Sequence, residues 1–179
     1  MYTVHVTKKL LDRLKTPVTV PGDASTSLGN WYATSLMWRP QVAVFVNTAT
    51  FFPVFARLAP AATVLERFPD AACEVWARME LDPRFVHNEI SHMTNPNVAK
   101  TADRQVLGVM NELAFMAHAR IGGGHNPNDL VGLSIRVADT LISPLYKDRA
   151  GTPDRELRHH IDTAVGDWPS TFRPWTERL

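Results

Sequence analysis

Residues 31–46, WYATSLMWRPQVAVFV, decide the fold because they hold two apolar runs joined by a short turn. Trp31 to Trp38 combines aromatic, small and hydroxylated residues, which is typical of a strand, and Val42 to Val46 is the clearest strand in the sequence. Arg39-Pro40-Gln41 between them predicts a turn. We therefore expect a small, mostly antiparallel sheet built from the N-terminal third of the chain.

Further elements extend this sheet on both sides. Tyr2 to Thr7 alternates between apolar and polar residues and predicts a strand, and Lys8 to Lys15 predicts a short basic helix. Pro17 to Asn30 is rich in Pro, Gly, Ser and Thr, which predicts a loop. Phe51 to Arg57 fits either a strand or a helical segment, and Pro53 restricts it to a sheet edge if it is a strand.

After Pro60 the apolar spacing becomes helical. The pattern predicts a helix or two short helices over residues 62–80, where Pro69 leaves both readings open, and then helices over 83–92, 104–121, about 126–142 and 154–165. We expect the 104–121 helix to turn Leu107, Met110, Ala114, Ala117 and Ile121 to the core, and the next helix to turn Leu141 inward. A sheet followed by helices predicts an α+β fold, with the sheet packed against a C-terminal helical bundle.

The domain organisation follows from the same pattern. We predict one α+β domain over residues 1–148 and a charged tail over 149–179 that contains one short helix. The tail ends in a segment from Trp168 to Trp175 with two Trp and one Phe. Packing of this segment on the body, or on a second subunit in a homodimer, would bury these aromatic side chains.

Composition narrows the classes of protein. The chain has 19 Lys plus Arg against 18 Asp plus Glu, so no large positive field favours nucleic acid, although Lys8 to Lys15 is locally basic. Cys73 is the single cysteine, so no internal disulfide is expected. The most apolar stretch, residues 42–68, is interrupted by Asn, Pro and Arg, which excludes a membrane span. We expect a cytoplasmic protein.

Six segments occur in a recognisable order along the chain. They are TKKLL (7–11), LGNWYA (28–33), VFVN (44–47), RQVLGVMN (104–111), LSIRVADT (133–140) and SPLYK (143–147). Together they resemble a bacterial domain family of unknown function, which occurs as stand-alone proteins and fused to plasmid-type open-reading-frame domains. The resemblance covers roughly residues 2–148 and implies no activity, cofactor or catalytic residue.

The polar side of the 104–121 helix is the first candidate site. Arg104, Asn111 and His118 are seven residues apart, which places them nearly in line on one helix face. Arg104 offers a donor fork for carboxylate or phosphate, and Asn111 offers both a donor and an acceptor. We expect three further residues to converge on the same place: Arg136, Tyr146 and Lys147. The other reading is that these side chains bind loop backbone and fix the fold.

A metal site is a second candidate, although we expect none. Glu89-Ile90-Ser91-His92 and Glu156-Leu157-Arg158-His159 are two Glu-x-x-His pairs on predicted helices. The spacing places carboxylate and imidazole on one helix face, as in di-iron helical bundles. The sheet-first order does not fit such a bundle, so chance spacing is the simpler explanation.

The sequence therefore leaves three functions open. We favour a cytoplasmic domain that binds a small ligand or a protein near Arg104, Asn111, Arg136 and Lys147. The alternative is a small hydrolase of ester, lactone or phosphate substrates, assisted by a metal if one binds. The third is a nucleic-acid accessory protein, which the near-neutral charge disfavours.

Overall fold

The computed structural model describes residues 1–146 and 151–166. Its five strands are β1 (Thr3–Val6), β2 (Trp31–Leu36), β3 (Val42–Asn47), β4 (Pro53–Arg57) and β5 (Asn97–Lys100). Its helices are α1 (Lys8–Leu14), α2 (Val64–Arg78), α3 (Pro83–His92), α4 (Arg104–Gly122), α5 (Leu130–Ala138), α6 (Ser143–Tyr146) and α7 (Pro153–Gly166). The predicted α+β class is confirmed.

The strands form one sheet in the order β4-β3-β2-β1-β5. The antiparallel pairings β2–β3 and β3–β4 are the longest, whereas β1 lies parallel to both β2 and β5. Four strands come from the N-terminal third, where the sequence predicted a sheet, and β4 resolves the segment that the sequence left open between strand and helix. The fifth, β5, follows α3 and comes from a segment for which the sequence predicted neither a strand nor a helix.

Helices cover both faces of the sheet, which explains why β3 is apolar at successive positions. Ala43 and Phe45 belong to one core cluster, which also holds residues of α1, α2, α3 and α7 and Ala138 of α5. Val44 and Val46 belong to a second cluster, formed with α4 and α5. Helices α1, α2, α3 and α7 therefore pack on one face of the sheet and α4 on the other, whereas α5 contributes to both core clusters.

Two side chains close the outer edge of β4. The Ser134 hydroxyl oxygen in α5 accepts a hydrogen bond from the backbone nitrogen of Phe55 at 2.9 Å. The Arg67 guanidinium in α2 donates to the backbone oxygen of Arg57 at 3.1 Å. An open edge strand is a template for pairing with another chain, and these contacts remove two of its pairing groups.

Asn47 organises the corner between β2, β3 and β4. It is fully buried, and its Nδ2 donates to the backbone oxygens of Leu28 and Asn30 at 2.9 and 3.3 Å. Its Oδ1 accepts from the backbone nitrogens of Ala49 and Thr50 at 3.0 and 2.9 Å. The terminal Asn of the VFVN segment thus has a structural role, because it satisfies the backbone of two loops.

Several sequence expectations are wrong in detail. Strand β2 ends at Leu36 and not at Trp38. The buried side of α4 consists of Val106, Val109, Met110, Leu113 and Ala117, and the partly buried Leu107 and Ile121 pack against the same cluster. Of the five predicted core residues, Ala114 alone is not part of this cluster, and Val106, Val109 and Leu113 were missed. Leu141, expected to point inward, is 56% exposed because α5 already ends at Ala138.

Helix α2 is continuous through Pro69, which settles the alternative that the sequence left open. The proline removes one backbone donor, and burial of Phe68, Ala72, Val75 and Trp76 against the sheet side of the core holds the helix together.

The C-terminal helix predicted over 154–165 is present as α7, and its Leu157 and Ile161 lie in the first core cluster. The predicted domain boundary after residue 148 and the aromatic segment from Trp168 to Trp175 lie outside the described residues. No helix in the described part of the chain is both long and apolar enough to span a membrane.

Candidate functional site

The predicted polar stripe lies on the outer face of α4. Arg104, Asn111 and His118 are all exposed, and the His118 ring lies 6.0 Å from the ring of Trp38. Within residues 1–146 and 151–166, the side chains of Arg104 and Asn111 have no hydrogen-bond partner. They therefore do not bind loop backbone within those residues, and the stripe is an exposed surface there.

Arg136 does not lie beside this stripe. It lines a polar pocket of about 480 Å³ that is formed by the last turn of α4, the loop that follows it and α5. We call this cavity the α4–α5 pocket. Its lining residues are Arg120, Gly123, Gly124, His125, Asn126, Asp129 and Arg136.

The glycine run after α4 builds this pocket. The helix ends at Gly122, and Gly124 takes a φ of 100°, in the left-handed region that favours glycine. The backbone nitrogen of His125 then donates to the Arg120 oxygen at 3.0 Å, which turns the chain back. Asp129 caps the next helix by accepting from the Gly132 nitrogen at 2.8 Å. Helix α5 consequently returns beside the end of α4.

The charges that line the α4–α5 pocket are mostly positive. Arg120 donates to the Thr140 hydroxyl at 3.3 Å and has no carboxylate partner in the described part of the chain. The Arg136 guanidinium has no polar partner among those same residues. His125 places Nε2 2.9 Å from the Asp129 backbone oxygen, to which it donates. Two guanidinium groups are therefore available to a ligand.

Asp129 is the acidic residue of the pocket, and its charge is engaged elsewhere. Its Oδ1 lies 3.0 Å from Nη1 of Arg78, in α2. The hydrogen bond from the Gly132 backbone nitrogen lowers the pKa of Asp129, and the nearby Arg78 charge acts in the same direction. Asp129 is therefore paired with Arg78, and within the described residues it forms no ion pair with either arginine of the pocket.

The structure does not bring all predicted site residues together. Arg104 begins α4 and Arg120 lies sixteen residues later, so the helix separates them by about 24 Å along its axis. Arg104, Asn111 and His118 share a face of α4, but none of them lines the α4–α5 pocket. The side chain of Tyr146 and all of Lys147 lie outside the described residues.

Sequence reasoning missed Arg120 and His125. Arg120 lies in the last turn of α4, and His125 follows that helix. The favourable interaction of a basic residue with the helix dipole is enough to explain such a position, so neither residue indicated a site. The signal that could have found them is the turn from Gly122 to Gly124, because so short a connection places α4 and α5 side by side.

Glu89, the first metal candidate, is a buried structural acceptor. Its two carboxylate oxygens accept from the backbone nitrogens of Ser27 and Leu28 at 2.7 and 3.0 Å. Burial raises the pKa of Glu89, against the opposing effect of these hydrogen bonds and of the His92 charge. The carboxylate is thus committed to the loop before β2.

The other metal candidates do not assemble around Glu89. His92 is exposed, Glu156 is buried in α7, and His159 is exposed. In the described ranges no three residues of the types His, Cys, Asp and Glu are grouped closely enough to hold a metal ion.

A serine and a histidine also meet at this end of α3, but they do not form a catalytic pair. The Ser91 hydroxyl lies 3.3 Å from Nδ1 of His92. That Nδ1 lies 2.8 Å from the Asn88 backbone oxygen, which can only accept, so Nδ1 carries the proton. Ser91 itself donates to the same oxygen at 2.8 Å. His92 therefore cannot take a proton from Ser91 through Nδ1 in this arrangement.

Cys73 lies half-buried on the outer side of α2, beside an apolar groove of about 520 Å³. Burial raises the pKa of its thiol, and the neighbouring carboxylates of Asp70 and Glu74 raise it further. A thiol of this kind is a weak nucleophile at neutral pH.

Comparison with known proteins identifies the family. A domain of unknown function, DUF6933, matches residues 3–156, and the chain belongs to this family. The six segments quoted above all lie within the matched range. The match confirms that the chain resembles a domain family of unknown function. No curated protein and no solved structure matches the chain.

Proposed function

We propose that this domain binds a small anionic molecule in the α4–α5 pocket. The observation that supports this is the pair of guanidinium groups, Arg120 and Arg136, which line one pocket without a carboxylate partner in the described chain. Arginine presents a planar donor fork that matches carboxylate and phosphate oxygens. Because Asp129 is already paired with Arg78, a ligand carboxylate or phosphate would neutralise this site.

The size of the pocket favours a small ligand over a protein. A volume of about 480 Å³ is at the lower end of the range for small-molecule sites, about 300 to 1,000 Å³. Inorganic phosphate or a compact carboxylic acid such as citrate matches this volume and charge. The stripe on α4 lies outside the pocket and is not part of this proposal.

Isothermal titration calorimetry with citrate and with inorganic phosphate at low ionic strength tests the proposal. We expect Arg120→Gln and Arg136→Gln each to weaken binding about tenfold, which is the effect of losing one charge-assisted contact. Arg104→Gln is the matched control, since Arg104 is an exposed arginine of the same helix and lies outside the pocket.

Two results would contradict the proposal. One is the absence of binding by both anions at millimolar concentration. The other is an equal loss of affinity in the Arg104→Gln control, because that would indicate general attraction to surface charge.

Two finer expectations from the sequence stand beside this proposal. The single cysteine, Cys73, supports a cytoplasmic location. The aromatic side chains of Trp168, Phe172 and Trp175 support a homodimer formed through the C-terminal segment.

A further inference from the structure

A second cavity, of about 700 Å³, lies between strand β4, helix α2 and the start of α5. We call it the β4 groove. Its floor is made of apolar and small residues, which are Phe55, Ala56, Ala71, Ala77, Leu130 and Val131. Phe55, Ala56 and Leu130 are buried, and the three alanines leave open space above the floor. The groove therefore offers an apolar base to a ligand.

The groove does not take an added strand. The Phe55 nitrogen is bound by Ser134, and the Arg57 oxygen is bound by Arg67, so two outward pairing groups of β4 are occupied. A peptide that binds to a sheet edge depends on such backbone groups. Recognition in the groove must come from its side chains.

Arg57 is one positive side chain of the groove, and one of its hydrogen-bond donors has no acceptor in the described structure. Its Nη2 donates to the Asn128 amide oxygen at 2.6 Å. Its Nη1 is buried and has no hydrogen-bond partner in the described structure. A buried donor of a charged group that lacks an acceptor is costly, so a guanidinium that turns Nη1 toward an anionic ligand oxygen in the groove would gain a partner.

Arg67 lies beside Arg57 and adds a second positive charge. Its guanidinium donates to the backbone oxygens of Arg57, Leu58 and Pro60 at 3.1, 3.3 and 2.9 Å. Carbonyl oxygens satisfy its donors but carry no full negative charge. Arg67 is therefore held rigidly and leaves its charge available to the groove.

Two negative side chains of the groove come from α2, and the third, Asp129, is the one paired with Arg78. Asp70 and Glu74 are four residues apart, so they lie one turn apart on the same helix face, and both line the groove. Neither carboxylate has an ion-pair or hydrogen-bond partner in residues 1–146 and 151–166. The adjacent Arg78 does not pair with Glu74 because it is bound to Asp129.

From this arrangement we infer that the β4 groove binds a zwitterion, namely an α-amino acid with an apolar side chain. The ligand carboxylate would accept from Arg57, its ammonium group would donate to Asp70 and Glu74, and its side chain would rest on the apolar floor. The site shares Asp129 as a wall with the α4–α5 pocket, but its recognition groups are different ones.

Calorimetric titration of the full chain with three related probes tests the inference. The probes are L-leucine, N-acetyl-L-leucine, which lacks the ammonium group, and L-leucinamide, which lacks the carboxylate. We expect L-leucine to bind and each derivative to bind about tenfold more weakly, because each loses one charge-assisted contact.

Variants then assign the contacts. We expect Arg57→Gln to weaken L-leucine binding about tenfold. The matched control is Arg13→Gln, because Arg13 also donates to an amide oxygen, that of Gln41 at 2.6 Å, and lies outside the groove. The double variant Asp70→Asn with Glu74→Gln changes only exposed side chains, so it tests the site even if Arg57→Gln disturbs the fold.

The inference is overturned if L-leucine does not bind, if both derivatives bind as well as L-leucine, or if the double variant binds it unchanged. Citrate titration of the unmutated chain separates the two sites. Citrate binding without leucine binding in that chain overturns the groove alone, and leucine binding without citrate binding overturns the α4–α5 pocket alone.

Discussion

The hydroxyl oxygen of Ser134 lies 2.9 Å from the backbone nitrogen of Phe55, and through this contact a helix side chain completes the edge of the sheet. The same hydroxyl donates to the Leu130 backbone oxygen at 2.8 Å, which fixes its orientation. Both residues are buried. The Ser in the LSIRVADT segment is therefore needed to join α5 to β4.

Replacement of this hydroxyl has a predictable effect. Ser134→Ala leaves the Phe55 N–H buried without an acceptor, which should lower the free energy of unfolding by about 1–3 kcal/mol. Urea denaturation measures this. Ser91→Ala is the control, because the exposed Ser91 also donates to a carbonyl of its own helix but serves no strand. Equal losses in the two variants would contradict this role of Ser134.

The buried amide of Asn47 should tolerate substitution even less. Asn47→Asp removes both Nδ2 hydrogen bonds and places a carboxylate against the backbone oxygen of Leu28. We expect a loss of about 3–5 kcal/mol in unfolding free energy, the range for an uncompensated buried charge. The control is Asn111→Asp on the exposed face of α4, where a change of less than about 0.5 kcal/mol is expected. Thermal and urea unfolding of both variants check this prediction.

Two glycines should respond to alanine with opposite signs. A Cβ at Gly132 would clash with the carboxylate of Asp129, so Gly132→Ala displaces the cap of α5. We expect a loss of about 1 kcal/mol, the value of a helix N-cap. At Gly108 a Cβ meets no atom within 4 Å, and the residue lies inside α4. Gly108→Ala should therefore stabilise the protein by about 0.5–1 kcal/mol. Destabilisation by both substitutions would contradict the geometry described for Gly108.

The raised pKa of Glu89 predicts how the unfolding free energy of the protein changes with pH. Burial raises the pKa of its carboxyl, so the folded chain holds this proton more tightly than the unfolded chain does. Its contribution to stability is then fully present below about pH 4.3, the ordinary value, and is lost as pH rises through the raised folded value. Glu89→Gln cannot titrate. The stability of the wild type relative to Glu89→Gln should therefore fall as the pH rises from about 4 to about 8. A difference that stays constant or grows over this range in urea titrations would contradict the prediction.

The sequence predicts the local parts of the fold well. Strand β3, the turn after β2 and helices α3, α4 and α7 all follow from apolar spacing, turn residues and caps. Strand β5 was missed because its four residues follow Asn-Pro and have too few positions to show alternation. Its pairing with β1 joins residues about ninety positions apart, and no local pattern encodes that contact.

The candidate site is less predictable from sequence. Spacing correctly placed Arg104, Asn111 and His118 on one face of α4, but spacing alone cannot tell a solvated face from a cavity wall. The sequence predicted Arg136 as a site residue but not Arg120 and His125, which line the same pocket. The turn at Gly122 to Gly124 brings these residues together, and spacing along one helix does not reveal that. A pocket is formed by tertiary contacts, which a helical repeat does not specify.

The central claim, anion binding between α4 and α5, is tested most directly by mapping amide chemical shifts in the ¹⁵N-labelled protein during titration with citrate. We expect the perturbed amides to cluster at Gly123, Gly124, His125 and Asp129 and around Arg136, with Arg104 and Asn111 unaffected. Perturbations centred on the outer face of α4, or no saturable perturbation at all, would contradict the claim.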